Sequence, residues 1–305
     1  MQQWARQPIF WSVMMIILGF TFLTPLQIIT IHVAMVPIVV LVVSSPTLAH
    51  AAGYFIVPAL LLLFLSGTAW PFTAIIQAII LVPGAVMGYM YRKRSSAWAT
   101  LTAGAVSMIA VLLTILVSVT LAGIDIPAEI RALIQGQFDL FEQITGTTVI
   151  TNDALEALIS VAVSLLPLYI MIIALYYTVV THFFSRRLLN RLGYPAAALP
   201  PAREWRLPRS LVWYYLAVLL LDLFVTADNF LYTLVLNVYP LLLMTFTVQG
   251  VAFIIYWMHI RGRGKVLPAF IGILCILFPP VMYITSMVGL VDTAFPVRQY
   301  LSRRK

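Results

Sequence analysis

The sequence predicts an all-α, polytopic transmembrane bundle with eight to ten helical spans. Of its 305 residues, 62% are hydrophobic and only 9% are charged, and the mean hydropathy is +1.02. A soluble domain carries about a quarter charged residues, so this composition excludes a soluble enzyme and a disordered protein. Apolar runs of about 20 residues recur along the chain, which is the length needed to cross a bilayer as a helix.

Nine apolar segments are candidate spans, and each is expected to be a helix because a backbone inside hydrocarbon must satisfy its own N–H and C=O groups. The first segment follows a single basic residue, Arg6, and is interpreted as a membrane helix rather than a cleaved signal peptide. The predicted spans are Pro8–Leu26, Ile28–Ser45, Tyr54–Leu65, Trp70–Tyr91, Ala97–Ala122, Leu158–Phe184, Leu211–Thr226, Phe230–Met258 and Leu267–Val291.

These spans divide the chain into three parts. Residues 1–185 form a predicted six-helix membrane core, which includes an outer amphipathic segment at 124–156. Residues 186–209 form a basic linker, and residues 210–305 form a second group of membrane helices that ends in a basic tail. The linker is the predicted module boundary, because Gly193 and a Pro/Ala stretch end the sixth helix there.

The charges predict how the chain is oriented. Basic clusters lie at Arg92–Arg94, Arg186–Arg209, Arg261–Lys265 and Arg298–Lys305, whereas six of the ten acidic residues lie between the fifth and sixth spans. Since Lys and Arg concentrate on the cytoplasmic side of membrane proteins, we predict that both termini lie in the cytoplasm. The net charge of +8 is then an orientation signal, and no nucleic-acid partner is expected.

The last predicted span conflicts with this rule, because both of its flanks are basic. Two interpretations restore a cytoplasmic C-terminus. Either Phe278–Val281 breaks the segment into a hairpin, or Tyr239-Pro240 divides the preceding segment in two. The sequence leaves both open.

Two segments near the predicted outer face depart from plain membrane helices. In Ile126–Ile144, apolar residues recur at helical spacing between charged ones, which predicts an amphipathic helix that either anchors at the interface or covers a pocket. The second and third spans are short and contain Pro37 and Pro58, and such broken helices either reflect the general tolerance of membrane helices for proline or line a cavity, as in transporters.

Four residues are candidate ligand-binding groups. Asp222 is a carboxylate within an apolar run, where a charge is costly; the competing interpretation is a solvated helix end beside Asp228 and Asn229. The others are polar residues in or beside the early spans, and interhelical hydrogen bonding or simple packing is the alternative for each: Gln27, His32 and Gln77. Gln249 is interpreted as an interhelical hydrogen bond.

Small residues at every fourth position predict close helix packing. Gly84 and Gly88 form one such face on the fourth span, and Ala99, Ala103 and Ser107 form another on the fifth. Because these faces flank the Arg92–Arg94 turn, the fourth and fifth spans are expected to pack together, with a protein partner as the alternative.

The linker arginines are candidate contacts for a cytoplasmic protein partner or for anionic lipid, which a juxtamembrane basic cluster attracts. The alternative is that they only set the topology. They are Arg186, Arg187, Arg191, Arg203, Arg206 and Arg209.

Motifs for chemistry are missing from the sequence. It contains no glycine-rich phosphate loop, HExxH, CxxC or GxSxG, and its four histidines are scattered. Cys275 is the single cysteine, so no intrachain disulfide can form. We therefore expect no enzyme activity, no catalytic residue, no metal and no cofactor.

Four stretches form a loose signature, namely Leu188–Gly193, Glu204–Pro208, Gln249-Gly250, and Val288–Asp292 followed by Phe295 and Arg298. In these stretches, and over essentially its whole length, the chain resembles the YybS-like family of uncharacterised bacterial membrane proteins. The first six helices of that family are similar to the substrate-binding S components of energy-coupling-factor transporters. The resemblance implies a subunit of the bacterial cytoplasmic membrane that binds a small molecule or a cofactor.

One feature departs from the S components, which commonly carry a small-xxx-small face on the first helix for docking the coupling subunit. Here Phe10–Leu23 offers only Ser12 and Gly19, so the usual docking is not implied. The expected function is binding or transport of a small solute in an outward pocket, without covalent chemistry. The alternative is a membrane scaffold that binds a cytoplasmic partner or anionic lipid through its basic segment.

Overall fold

The fold is described from a computed structural model that covers residues 7–147, 150–226, 230–264 and 266–302. Several polar and charged residues of the sequence argument lie outside the described residues: Arg6, Asp228, Asn229, Lys265 and Arg303–Lys305. The described part is helical and contains no strand, which confirms the all-α fold class.

The described residues form 14 α-helices, numbered here in chain order. Five stretches are long and apolar enough to cross a membrane by themselves: α4, α5 with its preceding turn, α6, α9 and α11. The helices are α1 (Pro8–Thr21), α2 (Gln27–Thr30), α3 (Val36–Ser44), α4 (Leu48–Leu65), α5 (Trp70–Arg92), α6 (Ala97–Leu121), α7 (Ile126–Thr145), α8 (Asn152–Ser164), α9 (Leu166–Arg191), α10 (Ser210–Asp222), α11 (Phe230–Ile260), α12 (Val266–Leu277), α13 (Pro279–Ala294) and α14 (Val297–Ser302).

The chain divides into two compact units. Unit 1 comprises Met1–Leu133 and Tyr169–Leu199, and unit 2 comprises Ile134–Leu168 and Pro200–Lys305. The boundaries between the units therefore fall within α7, at the start of α9 and within the linker. The sequence predicts a single boundary, at residues 186–209. The helix predicted at Ile126–Ile144 is present as α7, and its role as an anchor or a lid stays a prediction.

At the centre of unit 1 lies a short helix that is almost fully buried. Every residue from Val36 to Val42 in α3 is buried, and α1, α4 and α5 pack around it. Nine residues extend only about 14 Å, less than half of a bilayer's hydrocarbon thickness. The prediction of one continuous helix over Ile28–Ser45 is therefore wrong. Residues 31–35 form turns, and α3 begins just before Pro37, because a proline ring is disfavoured in a helix interior but suits a first turn.

The third span is longer than the sequence indicates. It begins at Leu48 rather than Tyr54, because the Thr47 hydroxyl accepts a hydrogen bond from the His50 amide (3.2 Å) and caps the helix. Pro58 lacks the N–H that would bond to the Tyr54 carbonyl, and the Ser12 hydroxyl donates to that carbonyl instead (2.7 Å). A proline inside α4 is thus compensated by a serine of α1.

The sixth predicted span is also wrong as one helix, because Leu158–Phe184 is divided between α8 and α9. Pro167 lies in the first turn of α9, so the chain breaks at Leu165. Asn237 of α11, which is 8% exposed, satisfies the break within unit 2: its amide donates to the Ser164 carbonyl (2.8 Å), and its oxygen accepts from the Leu168 amide (2.8 Å).

In unit 2 the structure decides between the two interpretations of the last span. Helix α11 runs uninterrupted through Pro240, whereas the chain breaks at Phe278 between α12 and α13. The predicted last span is thus a helical hairpin. As the contacts below show, the segment before α10 and the segment after α13 meet at one end of unit 2, called here the basic end.

Helices α11 and α13 approach each other at two glycines. A Cβ atom on Gly289 would overlap the Phe246 carbonyl, and one on Gly250 would overlap the Thr285 carbonyl. The two backbones are therefore in contact at this crossing, as small residues permit in membrane helices.

The small-residue faces predicted on the fourth and fifth spans lie in different surroundings from each other. Gly84 and Gly88 face α3: a Cβ on Gly88 would lie 2.7 Å from the Val42 Cβ. Helix α5 also packs against α6, but the most buried face of α6 includes Thr100 and Gly104. The predicted stripe lies beside that face and is half-buried: Ala99, Ala103 and Ser107.

Candidate functional site

A polar and aromatic group lies in unit 1 at the break between α2 and α3. His32 belongs to the turns between α2 and α3, and its Nδ1 atom lies 3.1 Å from the Tyr176 hydroxyl of α9. The imidazole also stacks on the Tyr177 ring, with 5.9 Å between centroids. His32 is half-buried and Tyr176 is exposed, so the group is accessible from one side. We call His32, Tyr176 and Tyr177 the His32 group.

The other predicted ligand-binding residues are not part of the His32 group. Gln27 is the exposed first residue of α2. Gln77 donates to the Ala59 carbonyl of α4 (3.1 Å), which is an interhelical hydrogen bond. Asp222 belongs to unit 2, where it is the exposed last residue of α10, as the helix-end interpretation expects.

The cavities around Gln77 are small. Two of them border its side chain, with volumes of about 40 and 30 Å³. Each has room for only a few water molecules, whereas drug-sized ligands occupy about 300 Å³ or more. A groove of about 710 Å³ lies between α1 and α4, but exposed apolar side chains such as Ile9, Val13 and Val57 line it, as expected of a surface that faces lipid. The space around Gln77 is therefore too small for a drug-sized ligand.

Unit 1 has a second polar cluster at the end where α3, α5 and α9 carry serine, tyrosine and arginine. The Tyr91 hydroxyl and the His182 Nδ1 atom are 2.6 Å apart, and both residues are buried. One turn further along α9, the Ser185 hydroxyl and the Arg186 Nε atom are buried without a hydrogen-bond partner among the described residues, as are the hydroxyls of Ser44 and Ser45. Buried polar groups are normally paired, so this end is polar beyond what helix packing needs.

Arg92 closes the same end of α3. Its guanidinium donates to the carbonyls of Val42 (3.1 Å), Ser45 (2.7 Å) and Pro46 (2.5 Å). The last carbonyls of a helix have no partner inside the helix, and the macrodipole places partial negative charge on them. A cation therefore satisfies carbonyls at the end of α3 that have no partner inside the helix.

The basic end of unit 2 contains a buried ion pair. Arg298 donates through Nη2 to the Asp292 Oδ2 atom (2.6 Å), and the two side chains are only 5% and 2% exposed. The Gln249 amide also donates to Oδ2 (2.6 Å), which confirms its interpretation as an interhelical hydrogen bond. Arg298 Nη1 donates to the Arg203 carbonyl (2.6 Å) and so joins the start of α14 to the linker.

A small cavity adjoins this pair. Its volume is about 90 Å³, and its lining is more polar than apolar. Gln249, Asp292 and Arg298 form its buried side, and Arg206 and Arg209 form its exposed side. We call it the Arg298 cavity.

The structure distributes the six linker arginines between the two units. In unit 1, Arg187 stacks on the Phe183 ring (3.8 Å), Arg191 is exposed, and Arg186 is half-buried. In unit 2, Arg203 lies 3.0 Å from the His259 Nε2 atom and 3.7 Å from a Glu204 oxygen. That leaves Arg206 and Arg209 as the pair that shares a cavity.

Sequence reasoning missed Tyr176 and Tyr177, although adjacent tyrosines inside an apolar span are a visible signal. It also missed the buried pair of Asp292 and Arg298, which it quoted only as part of a resemblance. Their separation of six residues across a helix end carries no recognisable spacing. Within the described ranges, no group of three His, Cys, Asp or Glu side chains is placed to hold a metal ion.

Comparison with known proteins gives a family. The chain is similar to the uncharacterised protein YybS of Bacillus subtilis (strain 168), with 22% identity over 222 residues, or 70% of this chain and 72% of that protein. No solved structure matches the chain. A family of predicted membrane proteins, DUF2232, matches residues 12–293. The chain thus belongs to the DUF2232 family of membrane proteins.

Proposed function

We propose that this membrane protein binds or transports a small solute through unit 1, without covalent chemistry and with its basic segments in the cytoplasm. The proposal rests on the second predicted span, which is broken over Gln27–Ser44 into α2, a run of turns and α3. Irregular backbone at membrane depth is tolerated where it is buried in protein or lines a cavity, and transporters place their binding sites at such breaks.

The His32 group is the proposed contact for the solute. An imidazole and two phenol rings at the break combine hydrogen-bonding atoms with aromatic faces, as small-molecule sites do. The cavities of about 40 and 30 Å³ in unit 1 border Gln77 rather than the His32 group, and both are too small for a drug-sized solute. The proposal therefore includes a movement of the broken segment that opens space beside the His32 group. Binding would then be gated by local opening rather than by a rigid pocket.

Native mass spectrometry of the purified full chain tests this proposal. We expect one non-lipid molecule of defined mass to remain bound to the wild type and to be lost from the double variant His32→Ala with Tyr176→Phe. Tyr169→Phe is the matched control, since it removes the hydroxyl of another exposed tyrosine of α9 and should retain the molecule. Absence of any bound molecule from the wild type, or equal retention by all variants, would contradict the proposal.

A second candidate function is contact with anionic lipid or a cytoplasmic partner through the basic linker. The observation that favours it is the position of Arg206 and Arg209 on the exposed side of the Arg298 cavity. Clusters of Lys and Arg beside a membrane attract anionic headgroups by about 1 kcal/mol per residue. Variants of Arg206 and Arg209, described below, test this second function.

A further inference from the structure

The Arg298 cavity combines exposed cations with a buried polar wall. Arg206 and Arg209 come from the segment that leads into α10, and no described residue forms a hydrogen bond or ion pair with their side chains. The opposite wall carries Gln249 and Thr293, which are 3% and 5% exposed. A volume of about 90 Å³ has room for a few water molecules or one tetrahedral oxyanion.

Arg298 has donors to spare. A guanidinium has five N–H groups in a fixed fork. Nε and Nη2 are bound to the Asp292 carboxylate, and Nη1 is bound to the Arg203 carbonyl, which uses one N–H on each nitrogen. One N–H therefore remains on each Nη atom. Asp292 and Gln249 hold the fork in place, and the Tyr256 ring lies 5.1 Å from its central carbon.

The charge of the cavity favours an anion. Three arginines, Arg206, Arg209 and Arg298, face one carboxylate, Asp292, so the lining carries a net charge of +2. The carboxylate is already satisfied by Arg298 and Gln249, which limits its repulsion of a second anion. Helix α10 also begins at Ser210, directly after Arg209, and its N-terminal dipole adds positive potential.

We propose that the Arg298 cavity binds a phosphate group, with Arg206 and Arg209 as its charged donors and Arg298 as the buried one. Arginine suits this role because its planar fork matches the oxygens of a phosphate. The phosphate would come from the headgroup of an anionic phospholipid or from a soluble phosphate compound. The inference rests on the second candidate function and is independent of solute binding by the His32 group in unit 1.

The test compares two double variants of the full chain in the same buffer. Arg206→Gln with Arg209→Gln removes the two charged donors of the cavity. Arg261→Gln with Arg263→Gln removes the same charge from exposed positions of unit 2 that do not line the cavity, and it serves as the matched control. Both are measured by native mass spectrometry after incubation with phosphatidylglycerol or phosphatidylcholine, and by thermal unfolding in inorganic phosphate or chloride at equal ionic strength.

For a lipid source, we expect the wild type and the control to retain phosphatidylglycerol in preference to phosphatidylcholine, and the cavity variant to bind it at least about tenfold more weakly. For a soluble source, phosphate rather than lipid would raise the unfolding temperature of the wild type and the control, but not that of the cavity variant. Equal losses in both double variants would mean diffuse attraction, and they would overturn the proposal. So would the absence of any effect.

The two proposals can fail separately. Arg206→Gln with Arg209→Gln should lose headgroup binding and retain the unit 1 solute, whereas the variants of the His32 group should lose only the solute.

Discussion

Arg92 in unit 1 and Arg298 in unit 2 show two ways of burying a guanidinium. Arg92 is half-buried and bonds to three carbonyls at the end of α3, so it remains a cation beside a helix dipole. Arg298 is almost fully buried and bonds to a carboxylate, so the pair is neutral. The first arrangement satisfies backbone that the fold has broken, and the second fastens three separate segments of the chain together. Removal of a partner should therefore be far more costly in unit 2.

The largest expected effect is at the neutral pair. Arg298→Met leaves the Asp292 carboxylate buried without a cation, and we expect a loss of about 3–5 kcal/mol in the free energy of unfolding. Denaturant unfolding in detergent measures it. Arg298→Met combined with Asp292→Leu should recover most of the loss, because the buried charge is gone. Glu204→Gln, at an exposed ion pair, should change stability by less than about 1 kcal/mol. A double variant as unstable as the single one would contradict the neutral-pair account.

The second-largest effect is expected where α11 and α13 are in contact, close to the pair of Asp292 and Arg298. Gly289→Ala places a methyl group against the Phe246 carbonyl, which is backbone and cannot rotate away, and we expect a loss of about 3 kcal/mol in the free energy of unfolding. Gly272→Ala in α12 is the control, because no atom lies within 4 Å of its Cβ position. It should be neutral or should stabilise the protein by up to about 1 kcal/mol through helix propensity. Thermal melts of both variants check this, and equal melting temperatures would contradict the backbone contact.

The smallest expected effect is at Arg92. Arg92→Met removes three hydrogen bonds but leaves no opposite charge behind, so we expect a loss of about 2 kcal/mol. Arg92→Lys should lose less, since an ammonium still meets the partial negative charge of the helix end but cannot reach three carbonyls as a fork does.

Lys93→Met is the control for charge at this end, because Lys93 is exposed, and it should change stability by less than about 0.5 kcal/mol. Denaturant unfolding measures all three variants. A loss at Arg92 as large as that at Arg298 would remove the distinction between the two units.

Helices were predictable wherever composition or a strong breaker decides local structure. The apolar runs gave α5, α6 and α11 within a few residues, and the amphipathic spacing gave α7. Where a proline lies inside an apolar run, the sequence permits two outcomes. Pro240 lies within a continuous helix, whereas the chain breaks before Pro37 and Pro279. The difference depends on the groups that neighbouring helices offer to the backbone, and those are tertiary.

The candidate sites were less predictable for the same reason. His32 was visible in the sequence, but its partner Tyr176 lies 144 residues further along the chain. Gln249 and Asp292 are 43 residues apart, and they meet because Gly250 and Gly289 let α11 and α13 approach closely. Interactions between such distant residues leave no spacing that a sequence pattern can show.

The sequence by itself determined the solvent of this protein, because a chain with 9% charged residues cannot cover a globule in water, and it determined the helical form that lipid imposes on a backbone. It also showed that the basic clusters and most of the acidic residues lie in different segments of the chain. Only the tertiary structure decided which helices are continuous, where α3 is buried, and which of 18 basic residues become partners of buried groups. Local chemistry fixes what a segment needs, but the packing of distant segments decides which residue supplies it.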